Sequence, residues 1–180
     1  PYVEPPLAWK ENRLAAAATD AALQKAAALF SRKQWAAAEK AFDAVADDYS
    51  RALGYLWLAG RPEYEEELRL APLALALLQK AAPRRRGDPM FAEALELARR
   101  FNRALDRFVH RAAKNRTYTE LLLVSGEVDS MQPEDPTYYK GRLYAARALY
   151  MVIPHRWAFT AGAGRQILEE LEKAGFGDNR

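Results

Sequence analysis

The sequence predicts an all-α fold: antiparallel helical hairpins packed as a short array or as an irregular helical bundle. Three observations predict it. Alanine is abundant while valine and isoleucine are scarce, and alanine loses no side-chain entropy in a helix whereas β-branched residues do. Apolar residues return every three or four positions along most of the chain, the period of one helix face. Prolines and glycines fall near the edges of those stretches, where they start and stop helices. The length of 180 residues suits one domain around one core. No apolar run reaches the roughly 18 residues that span a bilayer, so a segment such as Leu70 to Leu78 reads as buried helix in a soluble protein.

Taken in order, Pro1 to Pro6 holds three prolines and reads as extended. A first helix is expected from Leu7 or Asn12 to Phe30, carried by Leu14, Ala18, Ala22, Ala26 and Leu29. A second is expected over Gln34 to Tyr49, where Trp35, Ala38, Phe42, Val45 and Tyr49 share one face. Gly54 and Gly60 read as breaks around Tyr55 to Leu58, and Pro62 as the first residue of the next helix. Glu63, Glu65, Glu66 and Glu67 then meet the positive end of that helix dipole and are expected to be exposed. Pro72 should kink or restart the helix, which continues through Leu73, Leu77 and Leu78 to Ala82.

Pro83 to Pro89 is the clearest linker, ending in the Asp88-Pro89 pair of an N-cap and a first helical residue. The longest helix should run from Pro89 to Lys114, burying Phe91, Ala94, Leu95, Ala98, Phe101, Leu105, Phe108, Val109 and Ala112. Thr117 with Glu120 has capping-box form and predicts a short helix ended by Gly126, with a strand over Tyr118 to Val124 as the alternative. Glu127 to Pro136 reads as an acidic loop, Pro136 to Val152 as a helix stopped by Pro154, and Arg165 to Ala174 as a final short helix after Gly162 and Gly164.

Over about residues 22–50, the hairpin expected at 12–50 resembles a tetratricopeptide repeat unit. Ala26 and Ala38 fall at its small positions, Leu29, Trp35 and Phe42 at its large ones. Ser50 stands where the repeat usually has proline, and Ala22 where it usually has tryptophan. The resemblance implies a two-helix unit that binds peptides or partner proteins.

Charge is unevenly placed. Residues 83–116 hold ten Lys and Arg against four Asp and Glu, while residues 117–136 hold five acids and no base. Arg99, Arg103, Arg107, His110 or Arg111, and Lys114 recur at helical spacing, with Arg100 beside them and Arg84, Arg85 and Arg86 upstream. They form a positive ridge roughly 20 Å long at 1.5 Å per residue. The plain reading is a solvated helix face; the functional one is a docking site for an acidic protein segment, either a partner's or the chain's own 117–136 region. Nucleic acid ranks below it, because Phe91, Phe101 and Phe108 lie on the buried side and leave no stacking surface among the arginines. A second possible interface is aromatic: Tyr139, Tyr150, Trp157 and Phe159.

Chemistry has few carriers. The chain lacks cysteine, which removes disulfides, thiolate nucleophiles and sulfur-ligated zinc. Its two histidines, His110 and His155, form no ligand pair, so neither a metal nor another cofactor is expected. Arg103 and His110, seven residues apart on one helix, are similar to the Arg and His pair of the HEPN ribonuclease superfamily. That likeness implies metal-independent RNA cleavage, the arginine stabilising phosphorane charge and the histidine moving a proton; Ala104 replaces the polar residue usual after the arginine. The expected function is thus a non-catalytic interaction or scaffolding module, an accessory subunit of a larger assembly, with ribonuclease or nucleic-acid binding as alternatives. A start at Pro1 is consistent with a cytoplasmic protein, or with a periplasmic one after signal-peptide removal.

Overall fold

The computed structural model describes residues 21–111, 124, 126–129, 131, 135, 137–151 and 158–174, and the backbone alone at 109–111, 149–151, 158–161 and 163. Among the described residues the fold is all-α, an irregular bundle without strands. Its helices are α1 (Ala21–Ser31), α2 (Trp35–Asp43), α3 (Asp48–Ala59), α4 (Glu67–Ala81), α5 (Pro89–Leu105), α6 (Tyr138–Met151) and α7 (Ala158–Lys173). A 3-10 turn, Ala82–Arg84, follows α4, and a π-helical turn, Asp106–Arg111, continues α5. The main packing pairs are α1 with α2, α3 with α4, α4 with α5, and α6 with α7.

α1 and α2 form the expected hairpin. Lys33 closes α1 at φ 58, letting the Gln34 N–H reach the Leu29 carbonyl at 3.0 Å. Leu23, Ala26 and Phe30 are buried against Ala38 and Phe42. The helix expected over Gln34 to Tyr49 is instead two helices. The chain leaves α2 at Ala44, and Asp47, in extended conformation, starts α3 by accepting from the Ser50 N–H at 2.8 Å. An N-cap carboxylate stabilises a helix start by about 1 kcal/mol, which outweighs continuing the apolar stripe through Val45.

Gly54 lies inside α3 rather than breaking it. The Phe42 ring occupies the place where a Cβ would stand, so the missing side chain sets how closely α2 approaches α3. Gly60 does cap α3, as its position suggests. Pro62 does not begin the next helix: it is buried in the connecting turn, and α4 starts at Glu67. Glu67 is buried, against the expectation of exposure, for reasons that lie in α6. α4 runs through Pro72, whose missing N–H faces the carbonyl of exposed Leu68, where water can replace the lost bond. Its buried face is Leu70, Ala71, Ala74 and Leu78, leaving Leu73 exposed.

Asp88 caps α5 as the sequence predicts, accepting from Met90 and Phe91 N–H groups at 3.0 and 3.2 Å, and Gly87 makes the preceding turn at φ 82. Leu97 and Ala104 join the buried stripe, while Leu95 and Phe108 are only half-buried. Residues 126–129 are helical, although Gly126 was expected to end a helix and Glu127 to open a loop. Val124, Val128 and Met131 are buried there, packing the segment onto Gly141 of α6. α7 begins at Ala158 and passes through Gly162 and Gly164, seven residues ahead of the expected Arg165 start. Each helical glycine costs about 1 kcal/mol against alanine; packing on α6 overrides it, and Gly164 is buried.

The expected helix from Leu7 or Asn12 up to residue 20, the segment from Lys114 through Leu123, Pro154, His155 and Trp157 fall outside the described residues.

Candidate interaction surface

The solvent face of α5 carries the ridge. Glu93 and Glu96 sit in its first half, Arg99, Arg100 and Arg103 in its last turns, and Arg107 in the π-helical turn beyond. That order follows the helix dipole, acids toward the N-terminus and bases toward the C-terminus. The ridge is partly neutralised by the chain itself. Arg103 Nη2 lies 3.1 Å from Glu96 Oε1, and Arg103 Nε lies 3.1 Å from Glu127 Oε2. Arg107 Nη1 lies 3.1 Å from Glu127 Oε1. One carboxylate therefore bridges two guanidinium groups one turn apart, an oxygen to each. Burial opposes the charge on Arg103, but the hydrogen bonds it donates to Glu96 and Glu127 hold its guanidinium above the ordinary arginine range.

The other basic residues are arranged differently. Arg100 lies 3.9 Å from Glu96. Arg85 stacks over the Tyr49 ring at 4.8 Å with Asp47 at 3.7 Å, tying the 83–89 linker to α3. Arg84, Arg86 and Arg99 are exposed. The side chains of His110 and Arg111, and the whole of Lys114, lie outside the described residues, and with them the Arg103 and His110 pairing. Of the aromatic candidates, Tyr139 is half-buried with its ring 5.2 Å from that of Tyr138. The side chains of Tyr150 and Phe159, and Trp157 altogether, fall outside the description.

Sequence reasoning missed the interior charge cluster. Lys140 is 2% exposed and Glu67 6%. Lys140 Nζ lies 3.2 Å from Glu67 Oε2 and donates to the Tyr64 and Pro62 carbonyls at 3.2 and 3.5 Å. The Tyr144 hydroxyl donates to Glu67 Oε1 at 2.7 Å. Burial holds Lys140 below the ordinary lysine pKa despite Glu67, and burial with the Glu67 hydrogen bond pushes Tyr144 well above the tyrosine range. The cluster clamps α6 onto the turn before α4 and onto the first turn of α4. A second lock lies nearby: Tyr64 and Arg69 both reach Glu39 of α2, at 2.7 and 2.6 Å, while Arg61 stacks on Trp35 at 5.0 Å.

The α1–α2 hairpin borders an open groove of about 600 Å³. It is lined by Ala21, Ala22, Leu29, Ala37, Ala41 and Ala44, with Lys25 and Lys40 beside them. Among the described residues, no group of three or more His, Asp and Glu side chains could hold a metal ion, and no helix is long and apolar enough to cross a membrane.

No known protein family, characterised protein or solved structure matches this chain.

Proposed function

We propose that this chain is a non-catalytic helical interaction module, an accessory or scaffolding subunit, whose α5 arginine face docks an acidic segment of a partner protein. The observation that carries the reading is the carboxylate held between Arg103 and Arg107, with Arg99 exposed one turn earlier. Guanidinium forks match carboxylate geometry and carry their charge at every physiological pH. A ridge that seats one carboxylate and leaves its neighbouring arginine open has the chemistry for a string of them.

The tetratricopeptide-like reading of the hairpin belongs to the same proposal. It is supported by the complete burial of Ala26 and Ala38, the small positions, and by Phe42 packed on Gly54. Small residues at such places let helix backbones approach closely, as stacked repeats require.

The test is a fluorescence-anisotropy titration with labelled polyglutamate. Reversing Arg99, Arg103 and Arg107 together to Glu should weaken binding by at least an order of magnitude while leaving the fold intact, since exposed ion pairs contribute only about 0 to 1 kcal/mol to stability. Unchanged affinity would overturn the reading. A labelled RNA that binds more tightly than polyglutamate and is lost with the same reversal would assign the ridge to nucleic acid instead.

A further inference from the structure

The Glu127 carboxylate occupies the seat that a partner's carboxylate would need. We infer that it is a built-in occupant of the Arg103–Arg107 seat, displaced by a side-chain swing when a partner's acidic segment docks. The inference rests on the acidic-partner reading and adds how that site is gated.

Three features of the structure support exchange over a fixed strut. First, the segment that carries Glu127 is held by other side chains. Val124 and Val128 are fully buried and Met131 is 3% exposed, and Val128 and Met131 press on Gly141 of α6. Glu127 can leave its arginines without freeing its backbone. Second, the seat opens to solvent: the Arg103 side chain is 44% exposed and that of Arg107 23%. An incoming carboxylate can reach Arg103 from outside, and Arg107 once Glu127, itself 14% exposed, has swung away. Third, the flanking Gly126 is exposed, and among the described residues nothing lies within 4 Å of where its Cβ would stand, so no described atom crowds that side of the turn.

The same anchoring explains why the internal occupant persists against single carboxylates. A tethered group acts at a local concentration on the order of millimolar. A free acetate or glutamate side chain in dilute solution loses to it. A segment with several acids gains because it also meets Arg99, which Glu127 does not touch. The partner therefore carries clustered Asp and Glu rather than one well-placed acid. Its binding weakens with salt, since the arginines involved are at the surface.

The experiment compares parent, Glu127→Gln, and Glu127→Gln combined with Arg103→Ala and Arg107→Ala, each titrated with labelled polyglutamate at low and physiological salt. Glu127→Gln keeps the side-chain size and removes the charge, and Glu127→Ala repeats the test without a carbonyl that could still accept from the arginines. Removing a competitor raises apparent affinity by the inverse of the fraction of seats it leaves open, so both variants should bind on the order of tenfold more tightly than parent. The combined variant should lose that gain. If Glu127→Gln and Glu127→Ala bind no better than parent while the three-arginine reversal still weakens binding, Glu127 is only a strut. The acidic-partner reading then survives. If neither parent nor the Glu127 variants bind polyglutamate, that reading and this inference fall together.

Discussion

Two carboxylate and cation clusters in this molecule use the same chemistry at opposite depths. Glu67, Lys140 and Tyr144 meet in the interior, where both charged side chains are nearly inaccessible. Glu127, Arg103 and Arg107 meet nearer the surface, their side chains 14%, 44% and 23% exposed. Removing a buried charge from water costs several kcal/mol, recovered only when each polar atom finds a good partner. Lys140 meets that demand with a carboxylate at ion-pair distance and two backbone carbonyls, whereas Glu67 Oε2 has the ion pair but no hydrogen bond. At the surface, water can replace any partner at little cost, so the pair can open. The interior cluster therefore fixes how α6 sits on α4, whereas the outer cluster can open at lower cost, as the proposed docking requires.

The largest expected effect comes from breaking the interior pair on one side. Glu67→Ala should cost about 3–5 kcal/mol, because Lys140 is left buried without its counter-charge. Chemical denaturation measures this, and a loss below about 1 kcal/mol would mean that water reaches the site. Replacing both charges, as in Glu67→Gln with Lys140→Met, should recover most of the loss.

A smaller effect is expected from packing alone. Gly54→Ala gains helix propensity worth about 0.5–1 kcal/mol but drives a methyl into the Phe42 ring, an overpacking cost of about 1–3 kcal/mol. The net should be a lower melting temperature, and a rise would show that Phe42 turns aside freely.

Alkaline pH separates depth from charge further. Tyr55, Tyr64 and Tyr138 are pushed up to about 12 from 10, first by burial and then by hydrogen bonds to Asp43, Glu39 and Glu170. The unfolded chain releases these protons near pH 10 while the folded chain keeps them, so their contribution is full below pH 10 and is lost as pH rises toward 12. Lys140 acts in the opposite sense. Its folded pKa is lowered, so its contribution grows with pH until the unfolded value of 10.5 is passed. Denaturation midpoints should consequently fall above pH 10, together with a late rise of tyrosinate absorbance. Midpoints that stay level to pH 12 would show that these tyrosines titrate normally.

A smaller change than that of Glu67→Ala belongs to Glu127→Gln, about 1–2 kcal/mol, because Glu127 is part-buried but its arginines keep contact with water, and it should shrink in salt. A loss matching that of Glu67→Ala would erase the distinction between the two clusters.

The fold class was legible because its signals are local: alanine content, apolar spacing, and the Asp88-Pro89 start. What escaped depended on distant residues. Val45 and Tyr49 continue a helical stripe on paper, yet the Asp47 cap wins and divides the helix. Gly54 looks like a breaker until Phe42 is placed on it. Glu67 looks like one more acid in a first helical turn, because its partner Tyr144 lies 77 positions away. For the candidate surface, helical spacing placed Arg99, Arg103 and Arg107 on one face of the chain's α5 region. It could not say which acid of 117–136 would meet them, since several are equivalent by charge alone. Burial of Val128 and Met131 beside Glu127 selects that one.

The most direct measurement is a pair of double-mutant cycles, Glu67 with Lys140 and Glu127 with Arg103, the more exposed of its two arginines, each run at low and high salt. The expected coupling for the interior pair is about 3 kcal/mol or more and insensitive to salt, and for the surface pair about 0.2–1 kcal/mol and lost at high salt. Equal, salt-resistant coupling in the two pairs would contradict the account, since it would make Glu127 as fixed a part of the fold as Glu67.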